Sequence, residues 1–441
     1  MGAAKKAGKR GSREPVDLLL VNANELVTLA GEGQKPRVGK QMRELGIIRD
    51  GGVAVKDGCI VAVGKTHDIT KRFRSDNVLS ANGKTVMPGF IDAHTHLIFA
   101  GSREDEFQMR VEGASYMEIL DAGGGILKTV KETRKASVDK LAADGLERLD
   151  SMLEHGTTTT EAKSGFGLTT RDELKILETI RRVNQLHIVD VIPTFLGAHA
   201  VPPEYRDDPG GYVSLIIDEM LPRVSEKVLA EFCDVFCERG VFSLEQSRRI
   251  LIAGKNHGLR LKIHADEMSS LGGARLAAEV EAISAEHMLF SSEEGLKAMA
   301  AKNVVAVLLP AAAFGLMMGK YANARLMIDY GVPVALGTDF GPNCMVENMQ
   351  LIIAFACCLN RLTPAEAITA ATINAAHAIS KANTIGSLEP GKKADILVLN
   401  ALNHRFLGYH FGTNLVDKVI KNGRIAVDKE VGPSKIVHLE E

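Results

Sequence analysis

The 441-residue chain has no C-x-x-C pair: its six cysteines lie scattered at 59, 233, 237, 344, 357 and 358. Such spacings suggest neither a disulfide framework nor a zinc ribbon, and a reduced, cytoplasmic protein is expected. No apolar run approaches the ~20 residues needed to span a bilayer. Charge of one sign is missing too, because 53 Lys and Arg face 55 Asp and Glu, a formal net charge of −2. That balance predicts no nucleic-acid and no membrane partner. The one basic run, Lys5, Lys6, Lys9, Arg10 and Arg13, lacks the apolar stretch of a secretion signal. Lys6 also stands where a myristoylation motif needs Ser or Thr. Residues 1–15 are therefore expected to form a disordered basic tail.

What is present is ordinary in bulk, with 45% apolar and 24% charged residues, and long enough for a large barrel plus an accessory domain. Val16 to Leu29 and GGVAVKDGCIVAVG (51–64) read as β structure. From Met87 strand-like apolar runs alternate with helical patterns such as DELKILETIRRV (172–183), the signature of repeated βα units. The runs number eight: VMPGFIDAHTH (86–96), TTTTEAKSGFG (157–167), VDVIPTFLGAH (189–199), CDVFCERG (233–240), LKIHADE (261–267), AISAEHM (282–288), VVAVLLP (304–310) and VPVALGTDF (332–340). Eight such units close naturally into a (β/α)₈ barrel, an α/β fold, here placed at 87–380. After Thr384 the β character returns in IGSLEPGKKADILVLN and VDKVIKNGRIAV. Residues 16–86 and 381–441 are expected to pair into one small β-sandwich built from both termini.

Metal-capable side chains recur near the C-terminal ends of these runs, where barrel active sites form. His94 and His96 are two apart, so both imidazoles face the same way. His264 ends the fifth run, His287 the sixth, and Asp339 the eighth. A lone buried histidine is usually core, but an H-x-H pair, two further strand-end histidines and a strand-end aspartate in barrel order are hard to explain as packing. His94, His96, His264 and Asp339 supply three imidazoles and a carboxylate, which suits one divalent metal per chain, zinc or iron. His287 is expected to touch the metal's water and Asp339 to take its proton. A second metal would need a bridge. The fourth run holds no lysine, Lys163 lies on the second, and Glu238 is the one candidate.

Three other features point to no chemistry. GSLEPGKK (386–393) ends in Lys where a phosphate-binding loop needs Ser or Thr, and strand-like residues follow it. The glycines at 123–125 precede a helical pattern and suit an anion site or a mobile loop equally. Cys233 and Cys237 read as core packing.

PGFIDAHTH, then TDF near the barrel's end, then GSLEPGKKADILVL together resemble the amidohydrolase superfamily. HLIFAGSREDEF, GASYMEILDAGGGILKTV, EAKSGFGL, TFLGAHAVPPEY, VFCERGVFSLEQSRRIL, KIHADE and NAAHAI narrow the resemblance to the imidazolonepropionase family within it, over roughly residues 17 to 430. That resemblance implies a barrel with a terminal β-sandwich. It also implies hydrolysis of a cyclic amide C–N bond, in 4-imidazolone-5-propanoate, to give N-formimidoyl-L-glutamate in histidine degradation. By the same token Arg103 matches the residue that binds the substrate carboxylate, His199 the strand-three histidine, and Glu267 the acid that follows the strand-five ligand. Two positions depart from the pattern. Phe166 stands where the family has Tyr, and Gly341, followed by Asn343, stands where it has Asn. A small-molecule substrate is expected, and a homodimer is compatible with the sequence. Alternative readings are another amidohydrolase of carboxylated cyclic amides or amidines, and an inactive barrel scaffold.

Overall fold

A computed structural model describes residues 13–31, 35–114, 118–119 and 123–430. Within it, eight parallel strands pair in sequence order: Phe90–Asp92 (β1), Thr157–Lys163 (β2), Asp190–Ala198 (β3), Phe232–Cys237 (β4), Arg260–Ala265 (β5), Ser284–His287 (β6), Val305–Leu308 (β7) and Val334–Leu336 (β8). Each of the eight expected runs overlaps one of them, with β4 and β5 beginning one residue before their runs. The barrel closes just beyond the ends of β1 and β8, where Thr95 and Phe340 form a parallel bridge. The N–H of His96 donates to the Phe340 carbonyl (2.7 Å), and that of Asp339 to the His94 carbonyl (3.0 Å). Closure and the metal-capable residues therefore share one stretch of backbone. Asp92 clasps it, accepting from Thr338 N (2.9 Å) and Thr338 Oγ1 (2.6 Å).

The first run, read as one strand, is two. Thr85–Pro88 joins an outer sheet and Phe90–Asp92 joins the barrel, with Gly89 between them. A Cβ at Gly89 would collide with the Thr158 side chain, so only glycine lets the chain pass from one sheet to the other here.

Helices cover the barrel, and their ends carry the signals the sequence offers. Thr169 caps Thr170–Leu186 by accepting from Asp172 N, and Ser243 with Gln246 forms a capping box on Leu244–Asn256. Two sheets draw on both termini. Six strands run Arg424–Asp428, Val416–Lys421, Ile396–Leu399, Thr85–Pro88, Glu25–Val27 and Ile47–Ile48. Four run Cys59–Lys65, Gly51–Lys56, Leu18–Ala23 and Val78–Ser80. Leu20, Val53 and Val55 pack with Val86, Ile396 and Ile420 in one apolar cluster between them. Of the expected basic tail, residues 1–12 lie outside the described residues. Glu14–Pro15, counted with it, is instead a short strand pairing with Phe73–Arg74, because the backbone from Glu14 onward finds hydrogen-bond partners. Among the described residues no helix is long and apolar enough to cross a membrane.

Candidate metal centre and active site

The imidazoles of His94, His96 and His264 converge at the C-terminal mouth of the barrel, with ring centroids 4.7 to 5.8 Å apart. Asp339 Oδ1 faces them, 3.2 Å from His94 Nε2 and 3.6 Å from His96 Nε2. His287 completes the ring, 5.2 Å from His264 and 5.6 Å from His94 between centroids. Ligand atoms of His94, His96 and His264, and separately of His94, His287 and Asp339, lie close enough together to share one ion. All five residues are buried. Both ring nitrogens of His94 and of His264, and Nδ1 of His96, have no hydrogen bond of good geometry. Buried polar atoms are seldom left so, and this convergent orphaned set fits a divalent cation. Backbone strain collects here as well, since Asp266, His287, Met288 and Asp339 all have positive φ.

Under the mouth lies a layer of charge. Lys163 Nζ is 2.8 Å from each of Glu161, Asp234 and Glu286, and Lys262 Nζ is 3.1 Å from Glu286. All five side chains are fully buried. Burial opposes the charge on Lys163, but three carboxylates outweigh it and hold the ammonium well above the usual lysine range. An anionic lysine carbamate, the bridge of a two-metal site, has no place among those carboxylates. Glu238 does not bridge either: it accepts from Met268 N (2.9 Å) and from the amide and hydroxyl of Ser269, so it holds a loop.

Protonation follows from burial and neighbours. Burial opposes a proton on His94 and so does Lys163, yet Glu286 and Asp339 prevail and raise it to about 9. Burial likewise works against the charge on Asp339, but His94, His287 and His264 keep its carboxyl below the usual range. His287 and His199 are each pushed down to about 3, chiefly by burial, with His264 adding to it in both. The Gly165 carbonyl can only accept from His199 Nδ1 (3.0 Å), so this neutral ring offers Nε2 as an acceptor. Glu267 is raised to about 8 by burial and then by the charges of Asp339 and Glu238. Its Oε1 lies 3.6 Å from His287 Nδ1.

Of the residues matched through the resemblance, Phe166, His199 and Gly341 adjoin His96, and Glu267 adjoins His287. Phe166 is buried beside His96 and His199, ring centroids 5.4 and 5.2 Å away. Its loop is held by Glu173, which accepts from Gly165, Gly167 and Leu168 N–H groups. Gly341 does not have positive φ, and a Cβ there would meet its nearest atom, His96 Cβ, at 3.5 Å. Its backbone therefore does not demand glycine. Arg103 is a buried ion pair with Glu106, Nε and Nη2 both donating to Oε2 at 2.8 and 2.6 Å. It lines a cavity of about 530 Å³ with Asn343, Arg110 and Phe107, and another of about 370 Å³ with Met268, the neighbour of Glu267. Glu106 Oε1 also accepts from Gly125 N, so that amide is already engaged by a carboxylate. Part of the GASYMEILDAGGGILKTV motif, residues 115–117 and 120–122, lies outside the described residues.

Sequence reasoning passed over Asp92, Glu106, Glu161, Glu173, Asp234, Lys262 and Glu286. The available signal was period two. Glu161 with Lys163, and Lys262 with His264, stand two apart and so share a face of their strands. Lys392 of GSLEPGKK donates to the Ala382 carbonyl and Ser387 Oγ, and so serves a loop. Cys233 and Cys237 are buried, with thiols pushed up by burial, Cys237 to about 11.

The model of the amidohydrolase family matches residues 85–426. An imidazolonepropionase of Alkaliphilus metalliredigens is 52% identical over 94% of this chain and 99% of its own. One of Geobacillus thermodenitrificans is 53% identical over 93% and 98%. In fold, the chain is similar to a zinc-bound adenosine deaminase from Xanthomonas campestris, with TM-score 0.69 and 21% identity over 95% of this chain and 94% of that one. It is similar also to E. coli guanine deaminase, with TM-score 0.70 and 15% identity over 93% and 99%. With a family match over most of the chain and relatives identical at half their positions, the protein belongs to the amidohydrolase family, among the imidazolonepropionases.

Proposed function

We propose that the chain hydrolyses the ring C–N bond of 4-imidazolone-5-propanoate to give N-formimidoyl-L-glutamate, using one zinc or iron ion per chain. One observation carries the reading: residues scattered over 245 positions, from His94 to Asp339, meet in one buried site at the barrel mouth. His94, His96, His264 and Asp339 would hold the metal. When bound, such an ion lowers the pKa of its water from 15.7 toward ~7 and polarises the scissile carbonyl. Asp339, ionised and beside His287, accepts the proton of the attacking water. The neutral His287 ring steadies that water, and His199 Nε2 accepts from the substrate ring. Glu267, protonated below about pH 8, gives its proton to the departing ring nitrogen. Arg103 binds the propionate. Its Nη1 has no protein acceptor among the described residues, and Asn343 lines the same cavity. Direct assay with imidazolone propionate, beside a panel of carboxylated cyclic amides, tests the assignment. A faster rate on another ring would transfer it to that substrate.

Phe166 favours that second reading to the extent that it withholds the family's phenol hydroxyl. Phe166→Tyr places the hydroxyl among His96, His199 and Phe99 without changing the ring. If imidazolone propionate is the substrate, kcat/KM should rise about tenfold for each ~1.4 kcal/mol regained. At Gly341 a Cβ meets only ordinary van der Waals contacts, so Gly341→Asn is the companion substitution. An unchanged or lower rate in Phe166→Tyr would mean the hydroxyl does not limit this reaction.

Glu267 allows a test by pH. Its folded-state value lies above that of an exposed carboxyl, so the stability it contributes is full below the ordinary carboxyl range, falls as pH rises from there to about 8, and levels off above. Glu267→Gln should remove that loss, measured by denaturant unfolding across the range from the ordinary carboxyl value up to about pH 8. It should also lower kcat by roughly 10²–10⁴-fold and abolish the alkaline fall in rate. Wild-type kcat/KM that keeps rising above pH 8 would exclude Glu267 as the proton donor.

A further inference from the structure

The buried charges beneath the site share an arrangement that packing does not require. Glu286 Oε2 lies 2.8 Å from Lys163 Nζ and 2.5 Å from His94 Nδ1. Asp234 Oδ2 lies 2.8 Å from the same Nζ and 3.0 Å from His264 Nδ1. In each carboxylate a single oxygen lies within ion-pair reach of both the ammonium and an imidazole, and one lysine joins the two, by a hydrogen bond to Asp234 and by proximity alone to Glu286 Oε2. The contacts to the rings are bent from the ideal N–H direction, so neither imidazole is fully satisfied from this side. The other oxygens are committed elsewhere. Glu286 Oε1 accepts from Lys262 and Ser284, and Asp234 Oδ1 from Val235 N. Glu161, the third partner of Lys163, is fixed by Thr95 N and Thr194 Oγ1. The cradle is thus anchored on β2, β4 and β6, while the rings it touches follow β1 and end β5.

We propose that Glu286 and Asp234 are positioning residues for the metal centre and that Lys163 locks them as one unit. A carboxylate at Nδ1 fixes the proton there and leaves Nε2 as the electron-pair donor. On His94, Nε2 is the atom that faces Asp339. Because one ammonium spans both carboxylates, the two rings are set relative to each other as well as to the barrel. This rests on the reading that His94 and His264 hold the metal.

The variants are Glu286→Gln and Asp234→Asn, isosteric with the native residues, and Lys163→Met combined with Glu161→Gln, which removes buried charges of both signs together. Circular dichroism and thermal melting of the metal-free proteins establish folding. Zn²⁺ affinity is then read by competition with a chromophoric chelator, and ligand geometry from the visible spectrum of the Co²⁺-loaded proteins. Affinity should fall roughly 10–100-fold in each variant, with a changed Co²⁺ spectrum. The double variant Glu286→Gln/Asp234→Asn should lose less than the product of the two singles, since both act through Lys163. Folded Glu286→Gln and Asp234→Asn proteins that bind Zn²⁺ within about threefold of wild type, with an unchanged spectrum, would overturn the proposal. These two decide it alone if the lysine variant does not fold. Wild type that takes up no Zn²⁺ would overturn the metal reading itself, and this inference with it.

Discussion

His264→Ala should lose its metal and its activity while keeping its fold. Structural zinc sites bind with apparent energies on the order of 10–16 kcal/mol over four ligands, so one ligand is worth about 3 kcal/mol, or more than ~100-fold in affinity. The barrel should survive because Asp234, the partner of His264 beneath the site, retains Lys163 at 2.8 Å and the Val235 amide at 2.7 Å. Metal analysis of the wild type should give about one equivalent per chain, and His264→Ala close to none, with superimposable far-ultraviolet spectra. Two equivalents in the wild type would sink the single-metal reading. Full activity in metal-free protein would sink the metal reading altogether.

The second large effect is expected at Arg103. Arg103→Met should raise KM by roughly 2–3 kcal/mol of lost charged contact, about 30- to 150-fold, with kcat less affected. Analogues lacking the propionate should show no such change. The ion pair complicates the substitution, because among the described residues Glu106 would keep only the Gly125 amide as a hydrogen-bond donor. An unpaired buried carboxylate is costly, and loss of stability is expected alongside. Glu106→Gln supplies the control: it frees the guanidinium while leaving the positive charge in place, so carboxylated substrates should still bind. Equal losses on charged and neutral analogues in Arg103→Met would assign Arg103 a structural role.

The barrel was legible because its signal is local. Most of the eight strands are short apolar runs, and the ligand-type residues stand at or just past the strand ends, where barrel geometry demands them. His94, His96, His264 and Asp339 could thus be named from spacing and order alone. Glu161, Lys163, Asp234, Lys262 and Glu286 could not. A charged residue in a strand ordinarily means a solvated face, and only the closed barrel turns that face inward, where the charges neutralise one another. The division of 86–96 into two strands was hidden for a similar reason, since the apolar run continues unbroken through Gly89 and only the crowding by Thr158 marks the change of sheet. The Arg103–Glu106 pair is visible as an i, i+3 spacing, but its burial depends on loops arriving from elsewhere.

The passage at Gly89 bears on how the chain reaches its native state during synthesis. Thr85–Pro88 is flanked by Glu25–Val27 on one side and by Ile396–Leu399 on the other, pairing across more than 300 residues in the second case. Until Ile396–Leu399 leaves the ribosome, that side of Thr85–Pro88 is an open edge able to recruit a foreign strand. The β1 strand begins one residue after the passage, and its barrel seam with the β8 end waits on residues near 340. Nascent chains halted before residue 396 should therefore lack a finished outer sheet, and those halted before Phe340 should lack a settled first strand as well. Late, long-range pairing of this kind slows folding. Chaperone dependence and aggregation during expression should accordingly track how quickly the final strands are delivered, more than any property of the catalytic mouth.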